Sequence, residues 1–583
     1  MASKKVFVKQ IHFNETAIRA LRDEHIDSGD DEEKYFLNYP TVYIAIHTSK
    51  DKYSVYVGET ANIYDRTIQH LLIDPKTRND WKSIALATDS SLYIIGHEFF
   101  NKSLTLDIEN RLMLYLSGVE VIEKIYNRRT NQQNDYYTAE HLDDIFSQIW
   151  RKLRTFDKDL FPIERIIKES SIFKASPFHK LSKEQANAIS QIKNRILEIL
   201  NTGSSSNLIL VQGAAGAGKT VVLSSLFYDL FQEIEDEENQ YYFSNLDNYL
   251  LVNHTEQLTI YQQIAKKLNL VSKDCNNVSK PTTFINNHST ENKVDVVLID
   301  EAHLLWTQGK QSYRGKNQLK DIIDRAKVVV AVFDENQILQ TNQIWEKSTK
   351  QRLIDKFNPT IIQLNNQMRI NSSPETLKWI RDIIDYQKIG TIPEDPNYDI
   401  KIFEYPQQLE DAIREKATIE DKGISRITAT FDWEYRPSKP EKQDYWFVRE
   451  DDWQMPWNKQ LVEIDNDQKR RNKLLSWAEQ PHTINEVGST YTVQGLDLNY
   501  AGVIIGPSVK YRNGRVIFDP KDSKNKNAVQ KRTMEDGSKE EHGSKLIRNE
   551  LNVLLTRGVN GLYVYAVDDE LRNALLKADQ RRK

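Results

Sequence analysis

The stretch from Asn207 to Ser224, NLILVQGAAGAGKTVVLS, constrains this chain more than any other. An apolar run, Leu208 to Val211, enters a loop with the spacing Gly213-x-x-x-x-Gly218-Lys219-Thr220, and a β-branched and leucine run follows that continues as a helix. Strand, glycine loop and helix in that order make a phosphate-binding loop. Gly213, Gly216 and Gly218 let successive backbone N–H groups converge on phosphate oxygens, and the start of the helix adds positive potential. Lys219 is expected to reach the β- and γ-phosphates and the Thr220 hydroxyl to join the shell of Mg²⁺, so ATP with Mg²⁺ is the cofactor pair implied.

Downstream motifs supply what such a loop needs. Val294 to His303, VDVVLIDEAH, is an apolar strand of the kind buried in a parallel sheet, ending in two carboxylates. Asp300 is placed to hold the Mg²⁺ shell and Glu301 to activate the hydrolytic water, because both leave the carboxyl end of a strand beside the phosphate loop. A third strand, Lys327 to Phe333, runs into Asp334-Glu335-Asn336-Gln337, and Thr360 to Leu364 leads into Asn366-Gln367-Met368-Arg369. Ser489 to Asp497 (STYTVQGLD) precedes a strand at Ala501 to Gly506, and Thr556-Arg557 precedes a terminal strand. Strands and helices alternating in this way predict doubly wound parallel sheets.

Taken in order from about residue 181 to the end, this set resembles the bacterial Schlafen group 3-like DNA/RNA helicase family, a branch of superfamily 1. The resemblance implies two RecA-like lobes with ATP between them and single-stranded nucleic acid running across both. It implies that Gln185, in Leu181-Ser182-Lys183-Glu184-Gln185-Ala186, meets the adenine edge, that Gln337 senses the γ-phosphate, that Arg369 reaches ATP from the second lobe, and that Arg557 is an arginine finger. Tyr249 to Asn253 with His254 and Gln257 falls where that family contacts nucleic-acid backbone, while Tyr491 stands where many relatives carry His.

The N-terminal part reads differently. Thr41 to His47 and Tyr53 to Val57 are two short strands around a turn, a helical run puts Arg66 and His70 four apart on one face, and Leu104 to Leu116 is amphipathic with Glu109 among apolar neighbours. The series Thr41-Val42-Tyr43, Tyr56-Val57-Gly58-Glu59-Thr60, Asn62, Arg66, His70, Glu109 and Asn127 resembles the GIY-YIG nuclease family over about residues 40 to 130. Thr41 and Val42 stand where the family name has Gly and Ile, and Val57 replaces the second Ile. The resemblance implies a small sheet flanked by helices, Glu109 as ligand of one Mg²⁺ or Mn²⁺, Arg66 as clamp on the scissile phosphate, and Tyr43, Tyr56 and His70 around the attacking water.

The expected organisation of the 583 residues is therefore a multidomain α/β chain: a GIY-YIG nuclease domain over 1–140, a connecting region over 141–180, a first RecA-like lobe over 181–358 and a second over 359–583. Two insertions interrupt the second lobe. Phe431 to Trp457 is rich in aromatics, which serve base stacking or the core of a β insertion. Lys510 to Lys545 is rich in Lys and Arg, as a mobile phosphate-binding loop or a solvated insertion would be.

Net charge is −5, so contacts to nucleic acid, DNA before RNA, have to be local. The single cysteine, Cys275, excludes a disulfide framework and a Cys-rich zinc site and fits a reducing cytoplasm. MASKKVFVKQIHFNE has no apolar core of a signal, and no run of about 18 apolar residues occurs, so a membrane partner is not expected. The function expected from all of this is an ATP-dependent nuclease with a helicase-type motor, in the architecture of defence against foreign DNA. Self-association and a protein partner from the same system stay open. The alternatives are an NTP-sensing switch that regulates the nuclease without unwinding, and a DNA-binding protein with an inactive nuclease domain.

Overall fold

A computed structural model describes residues 5–582 except 29–33, 51, 88, 128–132, 134, 204–206, 214–215, 232–245, 272–275, 310–312, 368, 419–422, 442, 462–464, 466–468, 470–471, 473–474 and 535. Cys275, Met368 and part of the acidic run at 29–33 thus lie outside the described residues. The chain forms two compact units, each built from more than one stretch of sequence.

The first unit comprises Met1–Ala186 with Ser224–Leu246 and Ile260–Val278. Its five-stranded sheet has the spatial order Val6–His12, Ser91–His97, Thr41–Ser49, Lys52–Thr60, Ile122–Ile125. The first four strands are antiparallel to their neighbours and the last is parallel to Lys52–Thr60. Val42 through Ile46 are all buried because their strand lies in the middle of the sheet, which is why that stretch shows no polar alternation. Asn62 and Asn101 cap the helices Ile63–Leu72 and Lys102–Ser117 by accepting from Asp65 N and Leu104 N at 3.1 and 3.0 Å, so the helices carrying Arg66, His70 and Glu109 start at defined points.

The region expected as a connector belongs to this unit through Ala186. Its helix Leu142–Phe156 has an apolar stripe of Ile145, Phe146, Ile149, Trp150 and Leu153, and Trp150 packs 5.1 Å from Tyr115 of the Glu109 helix. A stripe of that width needs a core to bury it, and the N-terminal sheet domain supplies one.

The second unit comprises Asn187–Leu223, Asp247–Thr259 and Ser279–Lys583. In its six-stranded sheet the five longer strands run parallel in the order Thr360–Leu364, Leu208–Gly213, Ala326–Phe333, Val294–Asp300, Asn248–Val252. A second parallel sheet has the order Asp399–Ile402, Gly558–Ala566, Leu498–Ile505, Ser425–Ala429. The stretch Val296 to Ile299 in the middle of such a strand is apolar and buried without alternation because both faces of such sheets are covered. Crossovers between parallel strands bring the loops at the carboxyl ends to one edge, where the site is built. Among the described residues no helix is long and apolar enough to cross a membrane.

Both insertions are ordered against this framework. Trp453 and Trp457, with the hairpin Phe447–Glu450 and Trp453–Pro456, pack into one apolar cluster with Ile427, Tyr500 and Tyr563 of the second sheet. The aromatics between 431 and 457 therefore include core side chains of that lobe. The basic insertion forms the hairpin Val509–Arg512 with Arg515–Phe518 and a short pair, Arg532–Thr533 with Lys539–Glu540. Arg532 is only 4% exposed, whereas residues 536–541 are all exposed, so the stretch combines a buried arginine with a solvated turn.

Candidate functional site

Three neighbouring parallel strands end together in the second unit. Leu208–Gly213 runs into the phosphate loop, Ala326–Phe333 into Asp334, and Val294–Asp300 into Glu301. Gly216 and Gly218 hold φ of +85° and +75°, the left-handed region where a side chain is strained. A Cβ on Gly216 would also collide with Arg369. Lys219 Nζ donates to Gly213 O at 2.6 Å and to Asp334 Oδ2 at 3.2 Å, both groups being buried. Burial works to raise the Asp334 pKa, but Lys219, His303 and the hydrogen bonds from Gln337 and Lys219 outweigh it, so the carboxylate is held below its usual range. Asp300 Oδ1 accepts from Glu301 N at 2.9 Å, and Glu301 sits at φ +49° with its carboxylate 3.3 Å from His303 Nε2. Burial keeps His303 toward its neutral form.

The second lobe completes this site. Arg557 Nη2 donates to Gln337 Oε1 at 3.1 Å, its Nη1 to Leu496 O at 3.2 Å, and Gln337 Nε2 donates to Asp334 Oδ2 at 2.7 Å. Lys219, Asp334, Gln337 and Arg557 are thereby joined in an unbroken polar chain from the phosphate loop to the second sheet. Arg557 is 1% exposed, and burial, then Arg369, lowers its pKa to about 9, opposed by Asp497, Glu301 and Asp334. It keeps its charge at neutral pH. Arg369 Nε lies 2.6 Å from Asp497 Oδ1, and Gln494 Nε2 donates to Gln337 O at 3.2 Å. Thr220 follows Lys219 in the first turn of the helix Lys219–Phe231.

Gln185 lies in the first unit, where its Oε1 accepts from Ser182 N at 2.9 Å while Ser182 Oγ accepts from Gln185 N. This reciprocal cap uses its carboxamide oxygen at the start of its own helix. Tyr491 is half-buried beside Phe431, its hydroxyl bonded to Asn525, while its carbonyl accepts from His254 Nε2 at 3.4 Å. Asp334 and Asp497 were visible as motif members, but the ion pairs they make were not. Arg532 had no signal at all, being one basic residue in a basic stretch.

The N-terminal residues also come together. Tyr43 and Tyr56 rings lie 6.2 Å apart, and Tyr43 OH is 2.7 Å from His70 Nε2. Arg66 lies close enough to both tyrosine hydroxyls to oppose the burial that raises their pKa values. Gly58 stands across the hairpin from Tyr43, where any side chain would meet the tyrosine ring. Asn127 clamps Val57 through both backbone groups, accepting from its N at 2.9 Å and donating to its O at 2.5 Å. Glu109 is 8% exposed, and burial and then Glu59 push its carboxyl up to about 8, with Lys102 and Arg66 pulling the other way. Lys102 pairs with Glu59, and Thr105 Oγ1 donates to the same carboxylate at 3.4 Å. His70 is driven down to about 2, chiefly by burial and then by Arg66 and Arg78, so its ring is neutral.

The model of the Schlafen group 3, DNA/RNA helicase domain family matches residues 206–568, more than half of the chain. The chain belongs to that family. The uncharacterized protein YPL245W of Saccharomyces cerevisiae is 32% identical over 438 residues, 69% of this chain and 91% of its own. Solved helicases are more distant. The arterivirus nonstructural protein 10 helicase is 13% identical with a TM-score of 0.29, and this chain covers 64% of its length while 66% of this chain is covered. Pif1 helicase from Candida albicans is 13% identical with a TM-score of 0.27, covering 68% of this chain and 96% of its own. Saccharomyces cerevisiae Dbp5 bound to RNA and ADP BeF3 is 11% identical with a TM-score of 0.28, covering 69% and 91%.

In this Schlafen group 3 helicase domain the donor set suits a magnesium nucleotide. Mg²⁺ takes one or two protein oxygens and completes its octahedron with phosphates and water, so a hydroxyl such as that of Thr220 and a carboxylate such as that of Asp300 would be enough. Among the described residues no group of three or more His, Cys, Asp or Glu is placed to hold a metal by protein ligands alone. The Glu109 carboxyl is buried and favours its protonated form, so a divalent cation held there would have to displace that proton. The family's two lobes are also tied by the insertion: Arg532 Nη1 converges on Thr307 Oγ1 (3.0 Å), Thr341 O (2.8 Å) and Ile344 O, with Glu346 at 3.5 Å from Nη2. Asn549 and Asn552 donate to the carbonyls of Ile338 and Asn336 at 2.9 and 3.1 Å.

Proposed function

We propose that this helicase-like, nucleic-acid-processing ATPase hydrolyses ATP between its lobes and uses the cycle to govern a metal-dependent endonuclease in its N-terminal unit. The observation that carries the ATPase reading is the polar chain from Lys219 through Asp334 and Gln337 to Arg557. Lys219 would hold the β- and γ-phosphates, Thr220 and Asp300 the Mg²⁺, and Glu301 the attacking water. Arg369 and Arg557 would place positive charge on the phosphoryl group from the second lobe, so hydrolysis depends on the two lobes meeting. Bound Mg²⁺ would neutralise charge on the phosphate oxygens.

The nuclease reading rests on Tyr43, Tyr56, Arg66 and His70 meeting at one place, with the buried Glu109 carboxyl close enough for Arg66 to pull on its pKa. Arg66 would clamp the scissile phosphate, Glu109 would hold Mg²⁺ or Mn²⁺, and the tyrosines with His70 would orient water. DNA is the expected substrate, and defence against foreign DNA the expected setting.

A second reading, a nucleotide-responsive switch that does not unwind, is favoured by Arg532, Asn549 and Asn552, which bind one lobe to backbone carbonyls of the other. Hydrolysis rates with and without single-stranded DNA or RNA separate the two. A motor is stimulated strongly; a switch keeps its basal rate. For the nuclease, plasmid nicking with Mg²⁺ or Mn²⁺ is lost in Glu109→Ala, and equal nicking by both proteins would remove that assignment.

A further inference from the structure

Asp74 has no part in the roles assigned above, yet it is a buried carboxylate in contact with a site residue. Its Oδ2 lies 2.5 Å from His70 Nδ1, on the side of the ring opposite Tyr43, and its Oδ1 accepts from Gln69 Nε2 at 3.3 Å. Gln69 in turn accepts from Arg66 Nη1 at 2.8 Å. Trp81 stacks on the imidazole with centroids 3.6 Å apart and planes 14° apart, so the ring is held against tilting and turning. His70 itself is fully buried.

A carboxylate only accepts, so the nitrogen facing it carries the proton. In a neutral imidazole the other nitrogen is then an acceptor. Burial holds His70 neutral, which agrees with that assignment. The acceptor nitrogen faces the Tyr43 hydroxyl, whose single proton is thereby committed to His70. The lone pairs of the Tyr43 oxygen are left for Arg66 and for whatever else enters.

We propose that Asp74 is a positioning residue for the N-terminal site: by fixing the Nδ1–H tautomer of His70 it turns the Tyr43 oxygen into an acceptor that orients the attacking water. The inference rests on the nuclease reading for its catalytic consequence, but the tautomer does not. A water that donates to Tyr43 presents its own lone pair away from that bond, toward a phosphate held by Arg66. With the opposite tautomer Nε2–H would donate to Tyr43, the phenol proton would turn into the site, and a water there would accept from it, spending on Tyr43 a lone pair that the first arrangement leaves for the phosphate.

The test uses the full-length chain with ¹⁵N-labelled histidine, His70 being assigned by loss of its signals in His70→Gln. Nitrogen shifts are expected to report Nδ1–H in the wild type and in Asp74→Glu, and a mixed or reversed tautomer in Asp74→Asn. Cleavage of plasmid DNA with Mn²⁺ is expected to fall by about 100-fold in Asp74→Asn, the scale of a misdirected proton partner, and to recover to within about tenfold of wild type in Asp74→Glu. Unchanged tautomer in Asp74→Asn, or cleavage within about twofold of wild type, overturns the proposal. If Asp74→Asn does not fold, loss of the Nδ1–H tautomer in a folded Asp74→Glu protein overturns it equally. A wild-type protein that cuts no substrate sinks the nuclease reading, and the nitrogen shifts still decide what Asp74 does.

Discussion

Replacing Arg532 by Met removes the guanidinium that ties the two lobes and keeps most of the apolar stem. The Nη1 group serves Thr307 Oγ1, Thr341 O and Ile344 O, and Glu346 is 9% exposed on its side chain. Removing one partner from such a buried, charged cluster leaves carbonyls and a carboxylate without their donor, and costs about 3–5 kcal/mol. A cooperative unit of roughly 350 residues unfolds with an entropy near 0.7 kcal/mol/K, so Tm should drop by about 4–7 °C. Scanning calorimetry of Arg532→Met, Glu346→Gln and the double variant measures both the loss and the coupling. The double variant should lose less than the sum of the singles. A Tm within about 1 °C of wild type for Arg532→Met, with no coupling to Glu346, would show that the insertion does not hold the lobes together.

Other outcomes follow from buried carboxylates. Burial and then Asp432 push the Glu550 carboxyl up to about 8, while Phe431 N and Thr490 Oγ1 donate to it. Its pKa is higher folded than unfolded, so its contribution is complete below about pH 4.3 and is lost as pH rises through about 8. The Tm of Glu550→Gln minus that of the wild type should therefore grow from pH 5 to pH 9; a constant difference contradicts the shift. Asp334→Asn removes the carboxylate that holds Lys219, and binding of a fluorescent ATP analogue should tighten by about tenfold, equivalent to about 1.4 kcal/mol. Unchanged or weaker binding would mean that Asp334 does not compete with phosphate.

What the sequence disclosed was local. Gly213 to Thr220 and Asp300-Glu301 are readable because strand, loop and carboxylates are contiguous and their residue types are dictated by phosphate and Mg²⁺. The ion pair between Lys219 and Asp334 spans 115 residues and depends on Ala326–Phe333 lying next to Leu208–Gly213, a register that periodicity does not report. His70 was readable by its spacing from Arg66, whereas Asp74 acts from a short helical turn just past the end of that helix. The aromatics between 431 and 457 fitted both stacking and core packing, and the cluster around Trp457 places several of them inside. A first unit assembled from three separate stretches is likewise invisible to a boundary drawn by composition.

The central claim is that Lys219, Asp334, Gln337 and Arg557 form an ATP-hydrolysing site completed by both lobes. Phosphate release by the full-length chain, wild type against Lys219→Ala and Arg557→Gln, with Mg²⁺ and single-stranded DNA or RNA present, tests it most directly. The account predicts hydrolysis in the wild type and at least about 100-fold slower release in each variant, with both still folded. Hydrolysis by Arg557→Gln at the wild-type rate would contradict a site shared between the lobes, and hydrolysis by Lys219→Ala would contradict the site itself.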